Sequence, residues 1–411
     1  MTFLVSAKGN EIRSWRAASE FAAAYRRAML ERASSNSCGS ASELFENALS
    51  GLKQLENEHE TVLAELNELL RKTALTPPSA ALKEMTAAFY ARLYRHMDLF
   101  HSAPAFYQMS MEFLRQVSSS LVNHAAEQLG LFAKRMPAVS LVALGPAGRF
   151  EYTPFCPLQL LMVHGDANPS ERETLNLFGH LLHTGFEELG LRIDPVITPR
   201  NPAWRKSLTD WQQHCTTILQ QQKQSEIIEL LRLGDQYLLP PHEEIGQQFR
   251  DFSIPLLKAN RPALGNLVSR MLALSNGLSM MGNLKLERRK PETGLFCLPD
   301  YGLLPLSSAV SALALIKGAS ANATPQRIKE LLKRNELDVD LSEMILSAWH
   351  TLHEFLLLRE KSFDIDPNNR QPLYLDPYDL NDKQLDSLKA ALETVEVIQR
   401  QVGVIFSWTG E

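Results

Sequence analysis

Cysteine is scarce in this sequence of 411 residues, and the four that occur form no Cys-x-x-Cys pair: Cys38, Cys156, Cys215 and Cys297. Such spacing argues against a disulfide framework or a zinc site and fits reduced thiols in a cytosol. Positive charge is not in excess either, because 42 Lys and Arg face 47 Asp and Glu, for a formal net charge of −5. Without a basic surface to hold phosphate backbones, we expect no binding of nucleic acid.

Long hydrophobic runs are missing as well. The brief apolar patch before Lys8 is too short for the hydrophobic region of a signal peptide. The most apolar later segment, residues 303–316, is interrupted by Pro305 and several serines and is shorter than the roughly 20 residues that span a membrane. We therefore expect a soluble cytoplasmic protein with no membrane partner, and the length suggests two or three domains.

The N-terminal part of the chain has the pattern of a helical hairpin. Residues 11–32 are rich in Ala, Arg and Glu, and residues 42–73 carry apolar side chains at helical spacing until the Thr-Pro-Pro of residues 76–78 stops the helix. The apolar stripe of this hairpin must pack on something. Packing within the chain is the favoured interpretation, and a homodimer formed through these helices is the alternative.

The next helical stretch, residues 81–134, is rich in aromatic side chains, which we expect to fill the core rather than line a pocket. A small α/β unit follows, with one helix that begins at Ser170 and ends near Leu189, before Gly190. From Pro202 onward the chain is predicted to return to helices, including residues 204–222 and 225–239. The predicted strands are residues 138–145, 158–166 and 191–198.

The turn between the first two strands has the pattern of a phosphate site. A strand that ends in Gly145 and runs through a tight turn into a short helix points backbone N–H groups at one spot, which favours phosphate. Nucleotidyl transfer also needs two carboxylates one residue apart on the next strand. Residues i and i+2 of a strand share a face, so both carboxylates can hold the Mg²⁺ that bridges the phosphates.

At this point the sequence resembles a known family. The stretch LGPAGRFEYTPFCPLQLLMV is similar to the pattern LGSxGRxEQxxxxDxDNALI of nucleotidyltransferases related to the protein-PII uridylyltransferase. The segment NPAWRKSLTDW resembles NPxWRxSLxxW of the same family. The last third of the chain resembles the family's C-terminal helical domain, which is assigned to substrate binding; the matching segments, in order, are RPALG, GLLPLSSAVSALAL and LDPYDLNDKQLDSLKAA.

The resemblance assigns a nucleotide-binding role to the residues of the turn and its flanks: Gly145, Pro146, Gly148, Arg149 and Glu151. In this set Pro146 stands where the family has Ser, which removes a hydroxyl and a backbone donor. For Glu151, the favoured interpretation is a structural ion pair with Arg149 that supports the turn.

The two metal-binding Asp positions of the family are occupied here by Pro157 and Gln159. Neither residue supplies the anionic oxygen that Mg²⁺ requires, and without the metal nothing neutralises the charge on the transferred phosphate. Asp194 is a weak candidate acid on the predicted third strand, and a turn role before Pro195 is the favoured interpretation. We therefore expect no catalytic residues, no bound metal and no cofactor; Mg²⁺ and a nucleoside triphosphate would be required only if the chain were active.

The predicted fold is α+β and mostly helical, with a small nucleotidyltransferase-like α/β unit between N-terminal helices and a C-terminal helical bundle. The predicted domains are residues 1–80, 81–236 and 237–411. Three functions remain open: an active nucleotidyltransferase, a helical scaffold, or, the favoured hypothesis, a catalytically degenerate relative that binds a nucleotide or a protein partner and acts in regulation.

Overall fold

The computed structural model describes residues 41–100, 102–221, 230, 232–240, 244–363 and 370–408. The chain divides into two compact units, Met1–Glu68 and Leu69–Glu411. Helix α1 (Ala41–Leu75) ends immediately before Thr76, as the Thr-Pro-Pro sequence predicted. The predicted helix at residues 11–32 lies outside the described residues, so the hairpin and its self-association stay predictions.

Two helices precede the sheet, α2 (Ala80–Phe100) and α3 (Ala103–Leu129). The break between them follows from the sequence, because the Ser102 Oγ accepts a hydrogen bond from the N–H of Ala105 and Pro104 lies in the first turn of α3. Three aromatic side chains of α2 are core residues, as predicted: Phe89, Tyr90 and Tyr94 are all buried.

A four-stranded sheet forms the centre of the α/β unit, in the order β3-β2-β1-β4. Strand β1 is antiparallel to both of its neighbours, and β2 is parallel to β3. A single helical turn, α4 (Gly145–Gly148), follows β1 directly. The strands are β1 (Val139–Leu144), β2 (Gln159–His164), β3 (Arg205–Ser207) and β4 (Gln236–Leu239).

The structure confirms the first two predicted strands and corrects the third. Residues 191–198 form only one bridge, between Ile193 and Leu158. The backbone turns there because the Asp194 side chain accepts the N–H groups of Val196 and Ile197, and Pro195 has no N–H for a ladder.

The two outer strands were predicted as helix. Strands β3 and β4 have three and four residues, respectively, and such short segments show too little alternation to be distinguished from helix. Strand β3 begins immediately after a single 3₁₀ turn and β4 begins one residue after another, so helical residues precede both strands closely.

Helix α5 (Pro169–Glu188) begins slightly earlier than predicted. Its N-cap is Asn168 rather than Ser170, because the Asn168 side chain and the Glu171 side chain each accept the other residue's backbone N–H. The helix ends before Gly190, which has φ +80° as expected at such a position.

One face of the sheet is covered by α6 (Leu208–Gln221) and α7 (Glu244–Ala259). Val142 and Leu161 of the central strands pack there against side chains of both helices. Neighbouring residues of the strands point to the opposite face and are fully buried as well. The sheet is therefore a buried layer that fixes the ends of β1 and β2.

The C-terminal part is a bundle of helices joined to a small two-stranded ladder of β5 (Phe296–Cys297) and β6 (Tyr374–Leu375). The sequence predicts helices from Pro202 onward, but α8 ends at Ala273 and an irregular segment follows. The helices are α8 (Arg261–Ala273), α9 (Leu304–Lys317), α10 (Thr324–Lys333), α11 (Val339–Glu360) and α12 (Asp382–Trp408). The mostly helical α+β prediction is confirmed.

Among the described residues, one stretch, Pro299–Lys317, is long and apolar enough to cross a membrane by length and composition alone. In this fold 61% of that stretch is buried inside the protein. Its main part is α9, whose apolar side chains pack within the C-terminal bundle, which is the environment of a core helix.

Candidate functional site at the Gly145 turn

The predicted phosphate turn forms where β1 ends. Gly145 has φ +58°, a backbone conformation that favours glycine. Gln159, the first residue of β2, pairs with Leu144 in the antiparallel ladder and therefore lies beside the turn. A Cβ atom on Gly145 would lie 2.9 Å from the Gln159 Oε1, so the amide of Gln159 packs directly against the turn.

One of the two positions that the resemblance assigns to metal, Gln159, lies beside the turn. The other position, Pro157, precedes β2 and is separated from Gln159 by the fully buried Leu158. Leu158 is bonded to the segment that carries Asp194, through its N–H to the Arg192 carbonyl (2.8 Å) and through its carbonyl to the Asp194 N–H (2.9 Å). Gly145, Gln159 and Asp194 thus meet at one place, as a nucleotidyltransferase site requires.

The chemistry at this place differs from that of a metal site. The Gln159 Nε2 donates a hydrogen bond to the Asp194 Oδ2 (3.2 Å). The Asp194 Oδ1 accepts the N–H groups of Val196 and Ile197, each at 2.9 Å, which confirms the predicted turn role of Asp194. The single carboxylate is therefore occupied by three N–H donors.

Mg²⁺ does not fit this arrangement. The cation prefers about six oxygen ligands with carboxylates among them, and the site offers one carboxylate whose oxygens already accept hydrogen bonds. The amide beside it presents N–H to that carboxylate. No group of three or more His, Cys, Asp or Glu residues that could hold a metal occurs within the described ranges of the chain.

Arg149 and Glu151 form the predicted ion pair, with 2.9 Å between the Arg149 Nε and the Glu151 Oε2. Both side chains are buried. The second oxygen of Glu151 accepts hydrogen bonds from the Thr324 Oγ1 and from the Trp349 Nε1, the latter at 3.0 Å. These two donors belong to α10 and α11, so the turn is attached to the C-terminal bundle.

Asp235, immediately before β4, joins the same cluster from the sheet side. Its Oδ2 lies 2.8 Å from the Arg149 Nη1, and its Oδ1 forms an ion pair with the Arg327 Nη1 of α10. The Ser311 Oγ of α9 donates to the same carboxylate. We call Arg149, Glu151, Asp235 and Arg327 the interdomain ion network; its two positive and two negative charges balance.

The network keeps its charges because each ion faces an opposite one. Burial alone would raise the pKa of the Asp235 carboxyl, but Arg327 and Arg149 hold that pKa below its usual value. Burial likewise acts to raise the pKa of Glu151, which Arg149 lowers. Burial would lower the pKa of Arg149, and the carboxylates of Glu151 and Asp235 raise it instead. Asp235, Glu151 and Arg149 are therefore ionised at neutral pH.

A second buried cluster lies next to the network. The carboxyl of Glu360, at the end of α11, accepts hydrogen bonds from the Tyr94 hydroxyl and the Thr153 Oγ1, both at 2.8 Å. No cation among the described residues forms an ion pair with it, and burial raises its pKa to about 8. His353 shares a 2.6 Å hydrogen bond with the Tyr107 hydroxyl, and burial lowers its pKa to about 4. Both groups are therefore mainly uncharged at neutral pH.

The five residues that were predicted to bind a nucleotide have different structural roles. The side chains of Arg149 and Glu151 are engaged in the interdomain ion network. A Cβ atom on Gly148 would lie 2.1 Å from the Asp235 carbonyl oxygen, so this glycine allows the turn to approach β4 closely. Gly145 faces Gln159, and Pro146 has no N–H to offer. Nucleotide binding by these residues stays a prediction.

Sequence reasoning missed two members of the interdomain ion network, Asp235 and Arg327. Asp235 lies 86 residues from Arg149 in the sequence and Arg327 lies 92 residues beyond Asp235, and neither belongs to a motif. The local sequence around a charged residue does not indicate an ion-pair partner that lies so far away along the chain. Only the packing of the bundle on the sheet brings them together.

Two family descriptions match the chain. Residues 83–225 match the family described as Putative nucleotidyltransferase DUF294, and residues 261–406 match the Putative nucleotidyltransferase substrate binding domain. Together the two regions make up most of the chain, which therefore belongs to this nucleotidyltransferase family, as the resemblance predicted. They lie within the predicted domains 81–236 and 237–411, whose boundaries stay predictions. No curated protein matches the chain.

Replacing Asp235 tests the interdomain ion network. Asp235→Ala leaves two buried guanidinium groups without their shared carboxylate, and we expect a loss of about 3–5 kcal/mol in the free energy of unfolding, measured by urea denaturation. Glu396→Ala is the matched control, because Glu396 pairs with Arg400 on an exposed helix face. That change should cost no more than about 1 kcal/mol. Equal losses for the two variants would contradict a buried network.

Replacing Glu360 tests the second buried cluster. The folded-state pKa of about 8 exceeds the ordinary value of 4.5, so the unfolded chain ionises first as the pH rises. Glu360 should therefore lower the stability of the wild type progressively between those values, by up to about 1.4 kcal/mol per pH unit. Glu360→Gln removes this ionisation, and its stability relative to the wild type should increase across that range.

Urea midpoints measured at several pH values for both proteins give the difference directly, and the opposing titration of His353 cancels because both proteins contain it. Glu343→Gln, an exposed position on the same helix, is the control and should leave the pH dependence unchanged. A constant difference between wild type and Glu360→Gln would show that Glu360 is ionised in the fold.

Proposed function

We propose that this nucleotidyltransferase-family protein has lost nucleotidyl transfer and acts as a regulatory binding module. The observation that carries the proposal is the hydrogen bond between the Gln159 Nε2 and the Asp194 Oδ2. It occupies the place where a transferring enzyme holds its metal. Electrostatic stabilisation by that metal and its ligands is the largest contribution to phosphoryl and nucleotidyl transfer, so its loss removes most of the rate.

The proposal is supported by what the fold has kept. The β1 turn, the neighbouring strand and Asp194 still converge, and the turn is fixed to the C-terminal bundle by buried ions. Buried ions need well-made partners to persist, and here every member has them. The fold thus keeps the geometry of the site and the connection to a substrate-binding domain, but it lacks the metal ligands. This combination favours binding of a ligand over catalysis.

A regulatory role in signalling, related to the protein-PII uridylyltransferase, belongs to the same proposal. The ligand would be a nucleotide or a protein partner, and a nucleotide would have to bind without metal. Calorimetric titration with ATP, UTP and GTP, with and without Mg²⁺, tests this. Binding that does not depend on Mg²⁺ is the expected result, and metal-dependent binding accompanied by nucleotide transfer would contradict the proposal.

Restoring the two acids tests the lost metal site itself. The double variant Pro157→Asp with Gln159→Asp introduces two carboxylates at and just before the start of β2, near Asp194, and we expect it to bind Mg²⁺ where the wild type does not. The matched control, Pro157→Asn with Gln159→Asn, introduces side chains of the same size without charge and should not bind the metal. Isothermal titration with Mg²⁺, or with Mn²⁺ followed by electron paramagnetic resonance, measures the difference.

Metal binding by the wild type would contradict the proposal. Metal binding by the Asn control as strong as that of the Asp variant would show that carboxylate charge is not what the site lacks. Urea midpoints for the three proteins check that each variant is folded, since removal of Pro157 also changes the backbone preference before β2.

A further inference from the structure

A pocket of about 190 Å³ lies where β4 and α7 meet α9 and the loop before α10. It is separate from the Gln159–Asp194 pair and shares with the interdomain ion network only Arg327. Three cationic side chains line it: Arg250 and Lys258 from α7 and Arg327 from α10. The small volume and the cationic lining together select for a small anion.

Two of the three cations have no counter-ion. Arg327 is paired with Asp235. The Arg250 Nη2 donates to the Asn322 Oδ1 (2.6 Å), and the Lys258 Nζ reaches the Ala319 carbonyl oxygen at 3.4 Å. Within the part of the chain that the structure describes, neither Arg250 nor Lys258 forms an ion pair with a carboxylate.

The acidic residues near these two cations accept hydrogen bonds from other groups. Asp251 lies at the pocket but is exposed, and its carboxylate accepts the Gln247 Nε2 at 2.8 Å. The carboxylate of Glu330 accepts the backbone N–H groups of Ser320 (3.0 Å) and Ala321 (2.9 Å). The bonds of Glu330 shape the loop that closes one side of the pocket, and neither of the two carboxylates forms an ion pair with Arg250 or Lys258.

The environment of these cations disfavours their charge. Burial lowers the pKa of Arg250, where Asp251 opposes the effect and Arg327 adds to it. Burial also lowers the pKa of Lys258, where Glu330 opposes the effect and Arg334, Arg327 and Arg250 add to it. An anion in the pocket would relieve both the desolvation and the mutual repulsion.

We propose that this pocket binds a phosphate group, free or on a small ester, through Arg250 and Lys258. Arg327 lines the pocket as well and is paired with Asp235, which connects the pocket to the network. The inference does not depend on whether the protein transfers nucleotides.

Calorimetric titration of the full chain with inorganic phosphate, glycerol 3-phosphate and sulfate at constant ionic strength tests the inference. We expect saturable phosphate binding, weakened about tenfold or more by Arg250→Gln and by Lys258→Met, since each removes a charge-assisted contact. Lys383→Gln is the control, because Lys383 is exposed on α12, and it should bind phosphate as the wild type does. Tighter binding of the ester than of inorganic phosphate would identify an ester as the ligand.

Sulfate has the shape of phosphate and should compete with it for the two cations, and phosphate binding that excess sulfate does not weaken would overturn their role. Absence of saturable phosphate binding by the wild type, or binding that neither Arg250→Gln nor Lys258→Met weakens, would overturn the site. Urea midpoints close to that of the wild type establish that a weakened variant is folded. Because α7 carries both residues on a partly exposed face, neither change should remove the fold.

Discussion

A single carboxylate, Asp235, holds the turn of the α/β unit and the first helices of the C-terminal bundle in place. It faces Arg149 on one side and Arg327 on the other, and Arg149 in turn faces Glu151. None of these charges could be buried alone, because removing an unpaired ion from water costs several kcal/mol. The arrangement is therefore stable only when the turn, the start of β4 and α10 are all correctly placed. The geometry beside Gly145, including the convergence of Gln159 and Asp194, depends on that constraint.

The motif that carries the family resemblance contains two kinds of residue: those that build the turn and those that bind the metal. The glycines, Arg149 and Glu151 of the motif serve to build the turn: Gly148 allows close approach to β4, and Arg149 and Glu151 anchor the turn to the bundle. The metal ligands serve the chemistry, and those are the positions that have changed. A chain can thus keep the first set for stability after losing the second, and a match to the motif alone does not establish catalysis.

The sequence predicted the larger features well, since helix periodicity, the Thr-Pro-Pro stop before α2 and the two apolar strands are local signals. The prediction of a strand at residues 191–198 was wrong. The apolar alternation of this segment resembles a strand, but the side chain of Asp194 accepts the backbone N–H groups that a ladder would need. At the site, the resemblance identified the positions that meet beside Gly145. It gave no indication of Asp235, Arg327, Glu360 or the cations of the pocket, because tertiary packing alone creates those contacts. Asp235 even lies between the two regions that match family descriptions.

The central claim is that the place of the catalytic metal is now filled by an amide bonded to a carboxylate. A crystal structure of the wild-type chain soaked with ATP and Mn²⁺, with anomalous diffraction collected to locate the manganese, tests it most directly. The account predicts no anomalous density beside Gly145 and an intact Gln159–Asp194 hydrogen bond. Manganese coordinated by the Gln159 Oε1 and the Asp194 carboxylate, with a triphosphate against the turn, would contradict it.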